Sequence, residues 1–259
     1  MASEERSSGG EMSFWDHLEE LRWTILRSVL AVCIFCAFGL AFKGPLFKIV
    51  LWPSQPDFIV YQWLGWNINM SLINVDISAQ FFTHLKAALA AGVVLAFPYI
   101  VFELWKFVAP ALYENEKKAV RTAFAMSSGF FYLGVLVGYF FVLPVCLQFF
   151  MNYTVSPDIA NTITLSSYMS MFTSMSLLIG IVFEFPTVIS ILSRLGVVTR
   201  QMLRKGRKYA FVGILALSAL ITPSDPVSML VLAAPLYLLY ELSILLCRKE
   251  VPEEENDID

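Results

Sequence analysis

The stretch RLGVVTRQMLRKGRK (Arg194–Lys208), followed by YAFVGILALSALIT (Tyr209–Thr222), decides how this chain folds. Its first part carries six basic residues, Arg194, Arg200, Arg204, Lys205, Arg207 and Lys208, and no acid. Its second part is fourteen residues without a charge, and the turn after it, Pro223–Pro226, holds no Lys or Arg. As a helix, fourteen residues rise only about 21 Å against a hydrocarbon core of about 30 Å. Length alone therefore leaves a choice between a re-entrant segment and a span through a locally thinned bilayer. Charge makes the choice: basic residues stay on the cytoplasmic side, and the chain returns to them at Arg248 and Lys249 after one more apolar run. The segment spans.

Five further apolar blocks flank it, at Trp23–Phe42, about Ala79–Val108, Arg121 to about Phe150, about Leu165–Leu195 and Val227–Cys247. Loop charges agree with one orientation. The 108–121 loop holds Lys117, Lys118 and Arg121, whereas the 150–165 loop holds no basic residue. The reading is an all-α membrane protein of six transmembrane helices, both termini cytoplasmic, with a short fifth and sixth helix. Residues 1–13 are expected to be a flexible tail, 14–249 the membrane domain, and 250–259 an acidic disordered tail. The opening MASEERSSGGEM lacks an apolar core, so no cleaved signal peptide is expected. The outer loop 43–78 carries Trp52, Phe58, Tyr61, Trp63 and Trp66, rings that favour the interface, and is expected to lie as a lid against headgroups.

Composition fits this reading. The chain is 58% hydrophobic and 15% charged over 259 residues, too little charge to solvate a globular surface. Cys33 and Cys36 lie inside an apolar helix with no second ligand pair and read as packing residues. The sequence has no nucleotide-binding loop, zinc-protease motif or nucleophile elbow, and only two histidines, so neither an enzyme nor a cofactor is expected.

Acids in costly places carry the functional signal. Glu184, in Phe183-Glu184-Phe185-Pro186, lies in the fourth block, where a carboxylate facing lipid costs about 3 kcal/mol or more. It must face protein or a hydrated cavity, or be protonated, and Pro186 removes a backbone donor and kinks the helix beside it. Before the first span, His17-Leu18-Glu19-Glu20-Leu21-Arg22 forms a short amphipathic segment at the cytoplasmic interface. After the second, Phe107-Val108-Ala109-Pro110-Ala111-Leu112-Tyr113-Glu114-Asn115-Glu116 ends a helix at Pro110 and offers acids to the cytoplasm. On pattern alone these acids fit a solvated helix start and surface ion pairs as well as a binding site. Intramembrane acids also fit an ion-coupled secondary transporter with Glu184 as its site, although the two halves show no repeat.

Taken in order, these clusters, with Thr222-Pro223-Ser224-Asp225 after the fifth span, resemble the TatC family from about residue 13 to 249. This is the multispan core of the twin-arginine protein translocase. The resemblance implies a curved, glove-like wall of six helices in the bacterial inner membrane. It implies export of folded proteins using the proton-motive force. It also implies recognition of twin-arginine signal peptides by Glu20 and Glu116, with Glu19 and Arg22 beside them. Glu184 would be a polar site on the concave side, and Pro110, Pro186 and Asp225 structural or partner positions. The implied partners are TatA- and TatB-type single-span proteins, further copies of the chain and the lipid bilayer, with no nucleic acid. The chain departs from the family in its outer loop, where Tyr61–Ile73 reads as inserted.

Overall fold

The computed structural model describes residues 14–66, 68, 70–111, 114–156, 158, 161–222 and 226–247. Both tails, and Asp225, lie outside them. Helix α1 (Phe14–Ala41) is the first span; at about 1.5 Å per residue its 28 residues outrun the hydrocarbon core by about 12 Å. Its first turns therefore stand in the cytoplasmic interface. The second span is α4 (Ala79–Val108), containing Pro98. The third joins α5 (Glu114–Val137) to α6 (Leu143–Asn152) through a π-helical turn, Gly138–Val142. The fourth runs through α7 (Leu165–Thr173), a π turn at Ser174–Leu178, α8 (Ile179–Val182) and α9 (Phe185–Arg194). A short basic helix α10 (Arg200–Lys205) leads into α11 (Arg207–Ile221), and α12 (Pro226–Leu246) is the sixth span.

Five of these spans are long and apolar enough to cross a membrane by length and composition; α11, at 15 residues, is shorter. It is nevertheless tied along α12, for Arg207 Nη2 donates to Glu241 Oε2 at 2.7 Å near the cytoplasmic end. With 15 and 21 residues, α11 and α12 are the two shortest spans, as charge and length had implied.

The first span rests against the second, the second against the third and fourth, the third along the fourth, the fourth against the sixth, and the sixth against the fifth. The first is the least buried. Close crossings fix this order: a Cβ on Gly92 would come within 2.9 Å of Cys36 N and Val32 O, so only glycine lets α4 lie on α1. The two π turns meet where Gly138 faces the Met175 carbonyl, with no room for a side chain.

The outer loop differs from the expected lid. Lys43–Leu51 form α2 and Ile59–Leu64 form α3, and Phe58 and Tyr61 are fully buried in the core, with Trp63 alone of the five rings strongly exposed at 87%. Burial here satisfies hydroxyls as well as rings. Tyr61, Tyr139 and Tyr168 donate to the main-chain oxygens of Pro53, Ile49 and Val50 at 2.6, 2.7 and 2.7 Å. An amphipathic ring with a matched acceptor inside the fold has no reason to seek headgroups. A two-residue parallel pairing of β1 (Leu72–Ile73) with β2 (Ile163–Thr164), unanticipated from the sequence, ties the two outer loops together.

Candidate functional site

The first turns of α1 lie against the last turns of α4. His17 stacks on Phe107, ring centroids 4.3 Å apart and 17° from parallel. One turn further in, Glu20 Oε1 stands 3.6 Å from Arg27 Nη1. The same nitrogen donates to Glu103 Oε2 at 3.1 Å, and Lys106 Nζ donates to Glu103 Oε1 at 3.0 Å. Lys106 also sits 4.5 Å above the Phe102 ring. The four side chains form a chain of alternating sign, Glu20, Arg27, Glu103 and Lys106, in which only Glu103 is buried.

Exposure divides this set. The Glu103 side chain is 2% exposed, and each of its oxygens is held by one cation, as a buried carboxylate requires. Glu20 is 38% exposed, and its 3.6 Å approach to Arg27 is longer than a hydrogen bond, so its charge is only partly compensated. Glu19 and Arg22 are exposed on the same segment.

The chain leaves α4 through a 3-10 turn, Ala109–Ala111, containing Pro110. Proline supplies no backbone donor to continue the helix, so the loop turns there. Glu116 falls in the first turn of α5, and its side chain lies outside the described residues. The structure thus brings Glu20 to the end of the second span, from which the Glu116 segment departs.

Glu184 lies apart from this cluster, at a break in the fourth span. Phe183 and Glu184 form a turn between α8 and α9, and Pro186 sits in the first turn of α9. Ser127 Oγ on α5 donates to Glu184 Oε2 at 2.5 Å, so the carboxyl faces the third span, not lipid. Its Oε1 is buried within the wall. No group of three or more His, Cys, Asp or Glu that could hold a metal occurs among the described residues.

Arg27 and Glu103 were visible in the sequence only as interruptions of apolar blocks. The signal that could have joined them is their opposite sign near the cytoplasmic ends of adjacent spans, where an unpaired charge is costly.

The family model described as Sec-independent protein translocase protein (TatC) matches residues 16–235. A Sec-independent protein translocase protein TatC of Desulforapulum autotrophicum is 37% identical over 257 residues, covering 99% of this chain and 90% of that one. That of Blattabacterium sp. is 35% identical, covering 92% and 96%. That of Escherichia coli is 31% identical over 93% and 90%. A crystal structure of the twin-arginine translocase receptor TatC in DDM superposes with a TM-score of 0.77 at 32% identity, covering 90% of this chain and 99% of that one.

Proposed function

The chain belongs to the TatC family of Sec-independent protein translocase proteins, and from that premise we propose that it is the subunit that receives twin-arginine signal peptides. As a family member it is a multi-pass protein of the bacterial inner membrane and a component of a translocase, a family of transport proteins and not of enzymes. The observation that supports the receptor reading is the state of Glu20: a partly exposed, partly compensated carboxylate at the cytoplasmic edge, packed near the end of the second span that leads toward the Glu116 segment.

The chemistry suits arginine. A guanidinium is always charged, planar and able to pair with a carboxylate through two parallel hydrogen bonds, which an ammonium cannot do. Two such carboxylates on one surface favour two adjacent arginines over two lysines. Because Glu20 is partly solvated, each pair is expected to contribute about 1–2 kcal/mol, below buried values. Glu19 and Arg22 shape the surrounding field. The apolar part of the signal then lies along the spans, where Ile25, Val29 and Phe102 expose hydrocarbon. Glu184 offers a polar foothold for a partner helix or the passing chain, with Pro186 keeping the helix broken around it. Asp225 and the short fifth span would serve docking of TatA- and TatB-type partners, several copies of the chain would work together, and the proton-motive force would drive folded cargo across.

The test is binding of a twin-arginine signal peptide and its two-lysine variant to the purified protein in nanodiscs. Wild type should prefer arginine, and Glu20→Ala or Glu116→Ala should weaken capture by about 5- to 30-fold and remove the preference. Equal binding of both peptides to wild type would count against the receptor reading and favour an ion-coupled transporter centred on Glu184.

A further inference from the structure

One guanidinium nitrogen stands between two carboxylates of unequal environment. Arg27 Nη1 is within hydrogen-bond reach of Glu103 at 3.1 Å and beyond it from Glu20 at 3.6 Å. Burial explains the asymmetry. A carboxylate out of water attracts a cation more strongly than a solvated one, and loses more if left unpaired. Lys106 pairs with one Glu103 oxygen, and Arg27 is the cation on the other.

Arg27 is also a competitor. It follows Glu20 by two helical turns, on the same face of α1. A guanidinium tethered there has an effective concentration at Glu20 far above that of any free peptide. If Arg27 were released from Glu103, it would pair with Glu20 and occupy the carboxylate.

We propose that Glu103 is a positioning residue that holds Arg27 back, so that Glu20 stays open to the guanidinium of an incoming signal peptide. The proposal rests on the reading of Glu20 as a signal-binding carboxylate and adds a buried residue that touches no ligand. Lys106 serves as the second cation that holds Glu103 in place. The chain's own arginine is thereby parked within reach of the site but not in it.

The experiment measures twin-arginine and two-lysine peptide binding to the full chain in nanodiscs for wild type, Glu103→Gln, Glu103→Gln with Arg27→Gln, and Glu103→Gln with Lys106→Gln. Glu103→Gln should weaken twin-arginine binding by about tenfold, because a charge-assisted pair must now be broken first. Adding Arg27→Gln should return affinity to within about twofold of wild type, since the competitor is gone. Adding Lys106→Gln should not, although both double variants restore the same net charge. Restoration by Lys106→Gln as well would mean that only net charge matters and would overturn the proposal. So would an Arg27→Gln double variant as weak as Glu103→Gln alone, which would indicate structural damage, or a Glu103→Gln variant that binds like wild type. If wild type fails to prefer arginine, the Glu20 reading falls and this proposal with it. If wild type discriminates but Glu103→Gln has no effect, only the positioning role falls.

Discussion

The outer cap and the cytoplasmic end of the first two spans solve the burial of polar groups in opposite ways. In the cap, three tyrosine hydroxyls donate to main-chain oxygens at 2.6–2.7 Å, and Phe58 lies stacked on Phe140 and edge-on to Tyr139. Every one of those hydrogen bonds is neutral, and no outside partner is needed to complete it. At the cytoplasmic end, four charges share three short contacts, and the outermost carboxylate is left partly solvated. Neutral, completed hydrogen bonds fix a shape; incompletely compensated charge invites exchange. The cap is a scaffold, and the cytoplasmic edge is where the proposed binding chemistry would sit.

The sharpest way to break this division is to remove a ring from the cap. Phe58→Ala should destabilise the protein by about 3–5 kcal/mol, read by thermal unfolding in detergent, while the arginine preference of the folded fraction persists. Loss of preference at unchanged stability would erase the division. Glu20→Ala should do the reverse, changing stability by no more than about 0.5 kcal/mol while costing about 1–2 kcal/mol of peptide binding. Tyr61→Phe sits between these effects: it strands the Pro53 carbonyl and should cost about 1 kcal/mol of stability with no effect on binding.

Two changes of condition sharpen the comparison further. Burial raises the pKa of the Tyr61 phenol above its ordinary 10.0. Because the folded value exceeds the unfolded one, its contribution is complete below pH 10 and is lost as pH rises toward the folded value. Thermal stability should therefore decline above about pH 10, and less steeply in Tyr61→Phe. Added salt should act at the other end, weakening twin-arginine binding by a few-fold between about 0.05 and 0.5 M with little effect on unfolding of the cap.

Much of this architecture was legible because the bilayer imposes a coarse rule. Long apolar blocks must be helices, and loops rich in Arg and Lys stay inside, so the six spans followed from the apolar blocks and the loop charges, with residues 194–222 deciding the fifth. Glu184 was likewise recognisable as a carboxyl that must avoid lipid by facing protein or water or by being protonated, and Ser127 is the side chain it faces. Phe58 and Tyr61 were misplaced because an aromatic in an outer loop suits the interface and the core equally well until acceptors are known. The Glu103 cluster escaped notice because its members are 76 residues apart and no local pattern joins them.

The sequence by itself determined the number of spans, their orientation and the candidate acids, since these depend on hydropathy and charge summed along short windows. Only the tertiary structure decided which carboxylate is sealed and which is open. Glu20 and Glu103 carry the same charge, and what separates them is a burial difference between 38% and 2% exposure and the closer approach of Arg27 to Glu103, on the neighbouring helix, than to Glu20 on its own. Exposure and partnership are properties of packing between distant segments, and no window of sequence contains them.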